Sequence, residues 1–449
     1  MRYLLNPNAF RRIFDGSTYL ENQVNHVRIE VKGAEKFFVD SLSYDIPYEM
    51  DDADVDIGIV RRLHYLWMIM SEGEDPHDFD YSTKLGTEIR FAGISAQTFA
   101  NIRQNWLNSL EIILTSKCNE RCIHCYIPEE EKNESMTLNI EGVKSAIRQF
   151  REMNGMKVII SGGEPLLHPD FEEILQYCRE QELMISVHSN LLVLSSEMAK
   201  RLRKLRLFNV QFSLYSVNSN VHETITGRKG TFSRTLRGID YLVANNVPAM
   251  ISCPVMKENR DSVRGLKEYA NSLGLDCYFD YIMMAQSNGA TNNLRSCLSR
   301  EDTRIVIREV VQNNELYIDA IRRAVSLDAL TKMPFARRWS SCNIMSNRLC
   351  MDTDGSFFPC PGWNSMKLGN IYECSLKQIW NSTRAASLRT INQRNFLKCS
   401  QCDLHNFCDM CPVYNVNENG SLDKVSPRFC VAAQILKEVV IEIYNDIRR

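Results

Sequence analysis

Six short runs rich in β-forming side chains, 110–115, 156–161, 184–189, 209–215, 248–256 and 276–284, alternate with longer segments of helical period, and this alternation constrains the fold most. It argues for parallel strands joined by crossover helices over residues 110–327. After the fourth run, Phe232, Leu236, Ile239, Leu242 and Val243 recur at i, i+4, i+7, i+10 and i+11, one apolar face suited to packing on the strands. Six βα units fit a partial barrel or an open doubly wound sheet, and in both folds ligands collect at the carboxyl ends of the strands.

At that end of the first strand lie Cys118, Cys122 and Cys125, spaced C-x3-C-x2-C in the run KCNERCIHCY (117–126). A cube of four irons normally takes a thiolate at each corner, so three ligands on one loop leave one iron open to a small molecule. Three buried or zinc-binding cysteines are the alternative, but zinc loops usually pair C-x2-C with a distant second pair. After the second strand comes Ser161-Gly162-Gly163-Glu164-Pro165. Two glycines permit close backbone approach to a ligand, and the Glu164 carboxylate is an acceptor for an ammonium group.

The 449 residues suggest two or three domains. Lys and Arg total 53 against 55 Asp and Glu, which gives no bulk attraction to nucleic acid or anionic lipid. Neither a secretion-signal core nor a membrane-length apolar run occurs, so a cytoplasmic protein is expected. Sixteen cysteines in a reducing compartment point to metal binding rather than disulfides. Ahead of the βα region, residues 1–105 hold a strand-like piece at 27–31, a helix candidate at 57–70 and a charged loop, EGEDPHDFD, at 72–80. Past about residue 332 the chain turns cysteine-rich and loop-rich, and metal would supply the stability its small apolar content cannot. A final amphipathic helix carries Ile435, Leu436, Val439, Val440 and Ile443 as a stripe.

Taken together, the C-x3-C-x2-C loop and the GGEP turn one strand later resemble the radical S-adenosylmethionine (SAM) enzymes. The resemblance implies a partial (β/α)6 barrel over 106–331. It implies a [4Fe–4S] cluster on Cys118, Cys122 and Cys125, with SAM chelating the fourth iron. Gly162, Gly163, Glu164 and Pro165 would meet the SAM amino group, His124 and Tyr126 would flank the adenine side, and Ser189, Asn190 and Ser213 stand where relatives contact the ribose. For the last three, strand-end capping is the competing reading. An external one-electron donor such as flavodoxin or ferredoxin is implied, and one electron splits SAM to methionine and a 5′-deoxyadenosyl radical able to take hydrogen from an unactivated carbon. The run HETITGRKGTF (222–232) also looks like the family, without an assignable role.

The tail runs C-x12-G-x4-C from Cys342 to Cys360, then Cys399-x2-Cys402-x5-Cys408-x2-Cys411, then Cys430. It resembles the SPASM extension, which makes 332–449 a cysteine-rich iron–sulfur domain with two auxiliary [4Fe–4S] clusters. By that pattern Cys399, Cys402, Cys408 and Cys430 hold the outer cluster. Cys342, Cys360 and Cys411 hold the nearer one, with Cys350 as a candidate fourth ligand. Relatives commonly have three residues in the last gap; here there are two, Asp409 and Met410. Zinc is the alternative for two C-x2-C pairs. Cys178, Cys253, Cys277, Cys297 and Cys374 fit no ligand spacing and read as small buried side chains.

The expected reaction is maturation of a ribosomally made precursor peptide, by hydrogen abstraction and closure of an intrapeptide thioether or carbon–carbon crosslink. Residues 1–105 form a small N-terminal α+β domain, either a grip on the peptide's leader through an added strand or a plain cap. Peptide epimerisation, sulfatase-type maturation and small-molecule dehydrogenation are the enzymatic alternatives; Pro361 after Cys360, where sulfatase-maturing relatives carry an acid, lowers the second. A zinc-stabilised interaction protein is the non-enzymatic one.

Overall fold

The computed structural model describes residues 2–14, 16–49, 56–76, 105–134, 136–335, 347–391 and 396–449. Cys342 and the end of the 72–80 loop lie outside them. The N-terminal unit contains β1 (Arg2–Leu5), β2 (Ala9–Phe14), β3 (Ser17–Asn22), β4 (Arg28–Val31), β5 (Tyr48–Glu49), β6 (Ile69–Ser71) and helices Gly33–Ser41 and Ile57–Tyr65. The strands form two antiparallel sheets, β2-β3-β4 and β5-β1-β6. The helix expected over 57–70 stops at Tyr65, because Leu66 N closes the last turn on Arg62 O and Trp67 takes φ +59, sending the chain into β6.

The main sheet holds β7 (Ser109–Ile113), β8 (Lys157–Ser161), β9 (Met184–Ser189), β10 (Asn209–Ser213), β11 (Ala249–Pro254) and β12 (Asp276–Asp280). These six are parallel neighbours in the order β12-β11-β10-β9-β8-β7. Three strands from the cysteine-rich region extend it past β7: β13 (Arg348–Met351) parallel to β7, then β14 (Ser356–Phe358) and β15 (Gly369–Asn370) antiparallel. Among the described residues the sheet does not close.

Side chains alternate across this sheet as strand geometry requires. Leu110, Ile112, Val158, Ile160, Ile185, Val187, Val210, Phe212 and Ile251 join the helices in one apolar core. The intervening positions, among them Glu111, Ser161, His188, Gln211 and Ser213, therefore face the other way and give the concave side a polar lining. Ile239 and Leu242, from the face read in the sequence, are buried in the core and Phe232 packs against it.

The N-terminal unit sits on the amino ends of β8 and β9, opposite the end that carries the cysteine loop. Fully buried Arg12 donates from Nε to Gly155 O and from Nη2 to Glu182 O, both at 2.7 Å. Around it, Phe10 and Tyr19 pack with Met156, Met184 and Trp106. At the other terminus, the helix Pro427–Arg448 buries all five stripe residues against the helix Arg300–Gln312 through Ile307 and Val311.

Candidate active site

β7 ends at Ile113, and the chain continues through Thr115 into the cysteine loop at the carboxyl end of the sheet. The turn after β8 is pressed against the start of that loop: Gly163 N donates to Thr115 O at 2.7 Å and Glu164 N to Lys117 O at 2.9 Å. A Cβ on Gly162, whose φ is +148, would lie 2.5 Å from Thr115 O, and one on Gly163 would lie 2.5 Å from both Ser116 O and Lys117 O. The two glycines are thus required by contact between protein segments, before any ligand is considered.

Glu164 also has a structural role that the local sequence does not show. Its side chain is fully buried, accepting from Ser189 Oγ (2.8 Å) and Leu166 N (3.1 Å) on one oxygen and from Asn190 N (2.7 Å) on the other. The carboxylate ties the end of β8 to the end of β9. Burial pushes Glu164 up to about 7 against those three donors. Ser189 and Asn190 are buried in the same network; Asn190 Nδ2 donates to Asn119 Oδ1 at 2.6 Å, inside the cysteine loop. For this pair the capping role is visible in the contacts.

The loop is braced from a second side by the run HETITGRKGTF. The helix Ser219–Thr226 ends against it, with Arg121 N donating to Thr226 O (2.9 Å) and Ile123 N to Ile225 O (3.0 Å). Gly227, at φ +63, follows because a Cβ there would meet Arg121 O at 2.7 Å. Fully buried His222 packs edge-on against Phe232 and tilted against Tyr215. Tyr215, unmarked in the sequence, places its hydroxyl 3.8 Å from Cys122 Sγ and 3.4 Å from His124 Nε2. Ser213 lies near the same hydroxyl. Only contacts across some ninety residues could reveal this, since no local spacing marks it.

Cys118 and Cys122 have their thiols pushed up, mainly by burial and further by neighbouring acidic groups, Cys118 to about 12. Glu120, whose Oε2 lies 3.2 Å from Cys122 Sγ, is itself pushed up to about 7 by burial. Thiolates here need a compensating cation, which a metal centre supplies. Donors toward Cys118 Sγ are already present, Glu120 N at 3.5 Å and Asn190 Nδ2 at 4.0 Å. Among the described residues no three His, Cys, Asp or Glu side chains converge as a single metal ion demands.

The tail cysteines fall into two groups. Cys399 has Cys402, Cys408 and Cys430 as electrostatic neighbours, Cys408 also neighbours Cys430, and Cys430 stands on the first turn of the closing helix. Cys360 neighbours both Cys350 and Tyr414, and Tyr414 also neighbours Cys411, so these three cysteines share one region. Cys350 stands opposite Glu111 in the β13–β7 ladder. Tyr126 lies between the second group and the cysteine triad, with Glu111, Cys350, Cys125 and Cys360 as its neighbours. Burial pushes His124 down to about 4, so the ring is neutral. Cys178 and Cys253 are buried in the core, away from both groups.

Comparison with known proteins agrees with this architecture. The radical SAM superfamily model matches residues 112–270, and the SPASM iron–sulfur cluster-binding domain model matches 342–403. The chain thus carries a radical SAM domain and, C-terminal to it, a SPASM iron–sulfur region. It is similar in fold to Streptococcus suis SuiB, in a crystal structure bound to the precursor peptide SuiA, with TM-score 0.60 and 17% identity over 94% of this chain and 98% of that one. It is also similar in fold to anSMEcpe with bound AdoMet and the Cp18Cys peptide, with TM-score 0.56 and 17% identity over 76% and 99%. Curated relatives include the subtilosin biosynthesis protein AlbA of Bacillus subtilis, 25% identical over 68% of this chain and 67% of that protein. An AdoMet-dependent heme synthase of Methanosarcina barkeri is 24% identical over 66% and 89%. No described helix is long and apolar enough to cross a membrane.

Proposed function

We propose that this enzyme matures a ribosomally made peptide, removing two hydrogens to close an intrapeptide crosslink. The observation that carries the reading is the placement of Cys350, Cys360 and Cys411 around the polar concave face, with Tyr126 between them and the cysteine triad. When bound, the triad's cluster and SAM would supply a hydrogen-abstracting radical, and the tail clusters would accept the second electron. Cys118, Cys122 and Cys125 would hold the first cluster. Cys399, Cys402, Cys408 and Cys430 would hold the outer one, and Cys360 and Cys411, with Cys342 and Cys350 as further candidates, the nearer one. The backbone of Gly162–Pro165 and of His124 would seat SAM, and Glu164, Ser189 and Asn190 would keep those turns in register. Buried surroundings around Tyr215, His124 and Tyr126 would exclude water from the reacting carbon.

Support for a peptide comes from the N-terminal unit, which is included when the SuiB fold covers 94% of the chain. β4 is an edge strand of its sheet among the described residues, and an exposed edge is what strand addition uses. We divide the chain at about 105 and 331, with the first unit both cap and leader grip. Incubating the anaerobic holoenzyme, a reduced flavodoxin or ferredoxin, SAM and a short peptide encoded beside it tests the reading by mass spectrometry. Loss of two hydrogens is expected. Unchanged mass with deuterium uptake from solvent would mean epimerisation. A second reading, oxidation of a small molecule, has its own support in the similarity to an AdoMet-dependent heme synthase, 24% identical over 66% of the chain. It predicts turnover of a free small molecule after the N-terminal unit is removed.

A further inference from the structure

A cleft of about 240 Å³ opens between the segment after Cys125 and the turn joining β13 to β14. Its walls are partly apolar, with Ile113, Ile127 and Phe358, while Glu131 and Glu134 stand on one lip and Asp352 and Asp354 on the other. Among the described residues the two aspartates are oriented by neutral donors: Asp352 by Thr353 N at 2.7 Å, Asp354 by Ser356 N at 2.8 Å and Ser356 Oγ at 2.7 Å. Glu131 feels the like charges of Asp352, Glu134 and Glu130, offset by Lys132. That lysine lines a neighbouring depression with Arg121 and Arg295 rather than the cleft itself.

Independently of the carboxylates, Ser116 and Ser287, only 6% and 7% exposed, line the same cleft, and among the described residues their hydroxyls have no hydrogen-bond partner. Buried polar groups are nearly always paired, so two lone hydroxyls in one cavity mark a place for a ligand with hydrogen-bonding atoms. Ser116 stands two residues before Cys118, and Pro361, also on the wall, follows Cys360. No three of the described acidic side chains converge on one point, so a bare metal ion is poorly matched. An alkyl stem between apolar walls with a multi-donor cation at its end matches both features.

We propose that this cleft seats a cationic alkyl group of the substrate, a guanidinium or ammonium, and so fixes which carbon faces the cysteine triad. Its identity as a lysine or arginine side chain of a peptide rests on the reading above. The test uses anaerobic holoenzyme and two labelled Gly/Ser nonapeptides, one with a central arginine and one with the neutral isostere citrulline. Charge-assisted hydrogen bonds predict that the arginine peptide binds about tenfold more tightly. In Glu131→Gln/Asp352→Asn, with an unchanged melting midpoint, that preference should drop below about twofold. Should the variant misfold, the wild-type preference must still shrink as salt rises from about 0.05 to about 0.5 M. Equal binding of the two peptides overturns the cationic seat while leaving the peptide reading intact. So does a preference that survives in the folded double variant, or displacement by stoichiometric calcium chloride. Agmatine competing as well as the arginine peptide keeps the seat and removes the peptide reading.

Discussion

Replacing Gly163 by alanine should loosen the cysteine loop without touching a cysteine. The added methyl would lie 2.5 Å from Ser116 O and Lys117 O and 2.8 Å from Lys117 C, all backbone atoms that cannot rotate away. Relief requires the turn to back off, which breaks the 2.7 Å bond from Gly163 N to Thr115 O and weakens the 2.9 Å bond from Glu164 N to Lys117 O. Two buried hydrogen bonds at ~1 kcal/mol each, with overpacking of ~1–3 kcal/mol, give a loss of about 3–5 kcal/mol. Against a total stability of about 5–15 kcal/mol, that is a large share. Urea unfolding of the metal-free protein measures it, and iron retained by anaerobic preparations reports on the loop. Gly265→Ala is the control: its Cβ would meet only the side-chain methyl Val217 Cγ2 at 3.3 Å, within the helix Val263–Ser272. There alanine should be neutral or slightly stabilising. A Gly163→Ala protein as stable and as iron-rich as wild type would refute the steric reasoning.

Three more outcomes are expected. His222 is fully buried and burial depresses it to about 4, so between pH 6.5 and 4 the unfolded chain binds a proton that the native one refuses. Stability should fall by ~3 kcal/mol as pH drops through that window, and denaturation series at both ends should show the fall absent in His222→Phe. Arg12→Met removes two donors from the buried carbonyls of Gly155 and Glu182 and should cost ~3 kcal/mol or more. Limited proteolysis should then release the N-terminal unit first, and an unchanged digestion pattern would count against its anchoring role. Cys408→Ala should lower iron by about four per chain while leaving SAM cleavage measurable. Iron analysis with reductive cleavage assays checks both, and retention of full iron would remove Cys408 from the outer set.

Much of the barrel was readable because strands declare themselves locally. Five of the six expected runs contain the observed strand with ragged ends, as in 248–256 against Ala249–Pro254, and 184–189 matches Met184–Ser189 at both ends. The remaining run, 110–115, starts one residue after and ends two residues after the strand Ser109–Ile113. The 57–70 helix was overextended because apolar residues continue through Met70, and a single left-handed residue, Trp67, ends what periodicity would prolong. Glu164 illustrates a different limit: a carboxylate after two glycines suggests a ligand, and only the tertiary structure shows the neighbouring strand end supplying two of its three donors, Ser189 Oγ and Asn190 N, beside Leu166 N of its own turn.

Residue types and short spacings by themselves determined that this chain makes a parallel α/β sheet with a three-thiol loop at a strand end, because period and sulfur count are local properties. Tertiary structure alone decided which way Glu164 turns, that Tyr215 stands over Cys122, and that Cys360 approaches Tyr126. It also decided that two acidic lips and two unpaired hydroxyls face one cleft. Those outcomes depend on how neighbouring strands align and how far the sheet curves, and long-range geometry of that kind leaves no mark in any window of the chain.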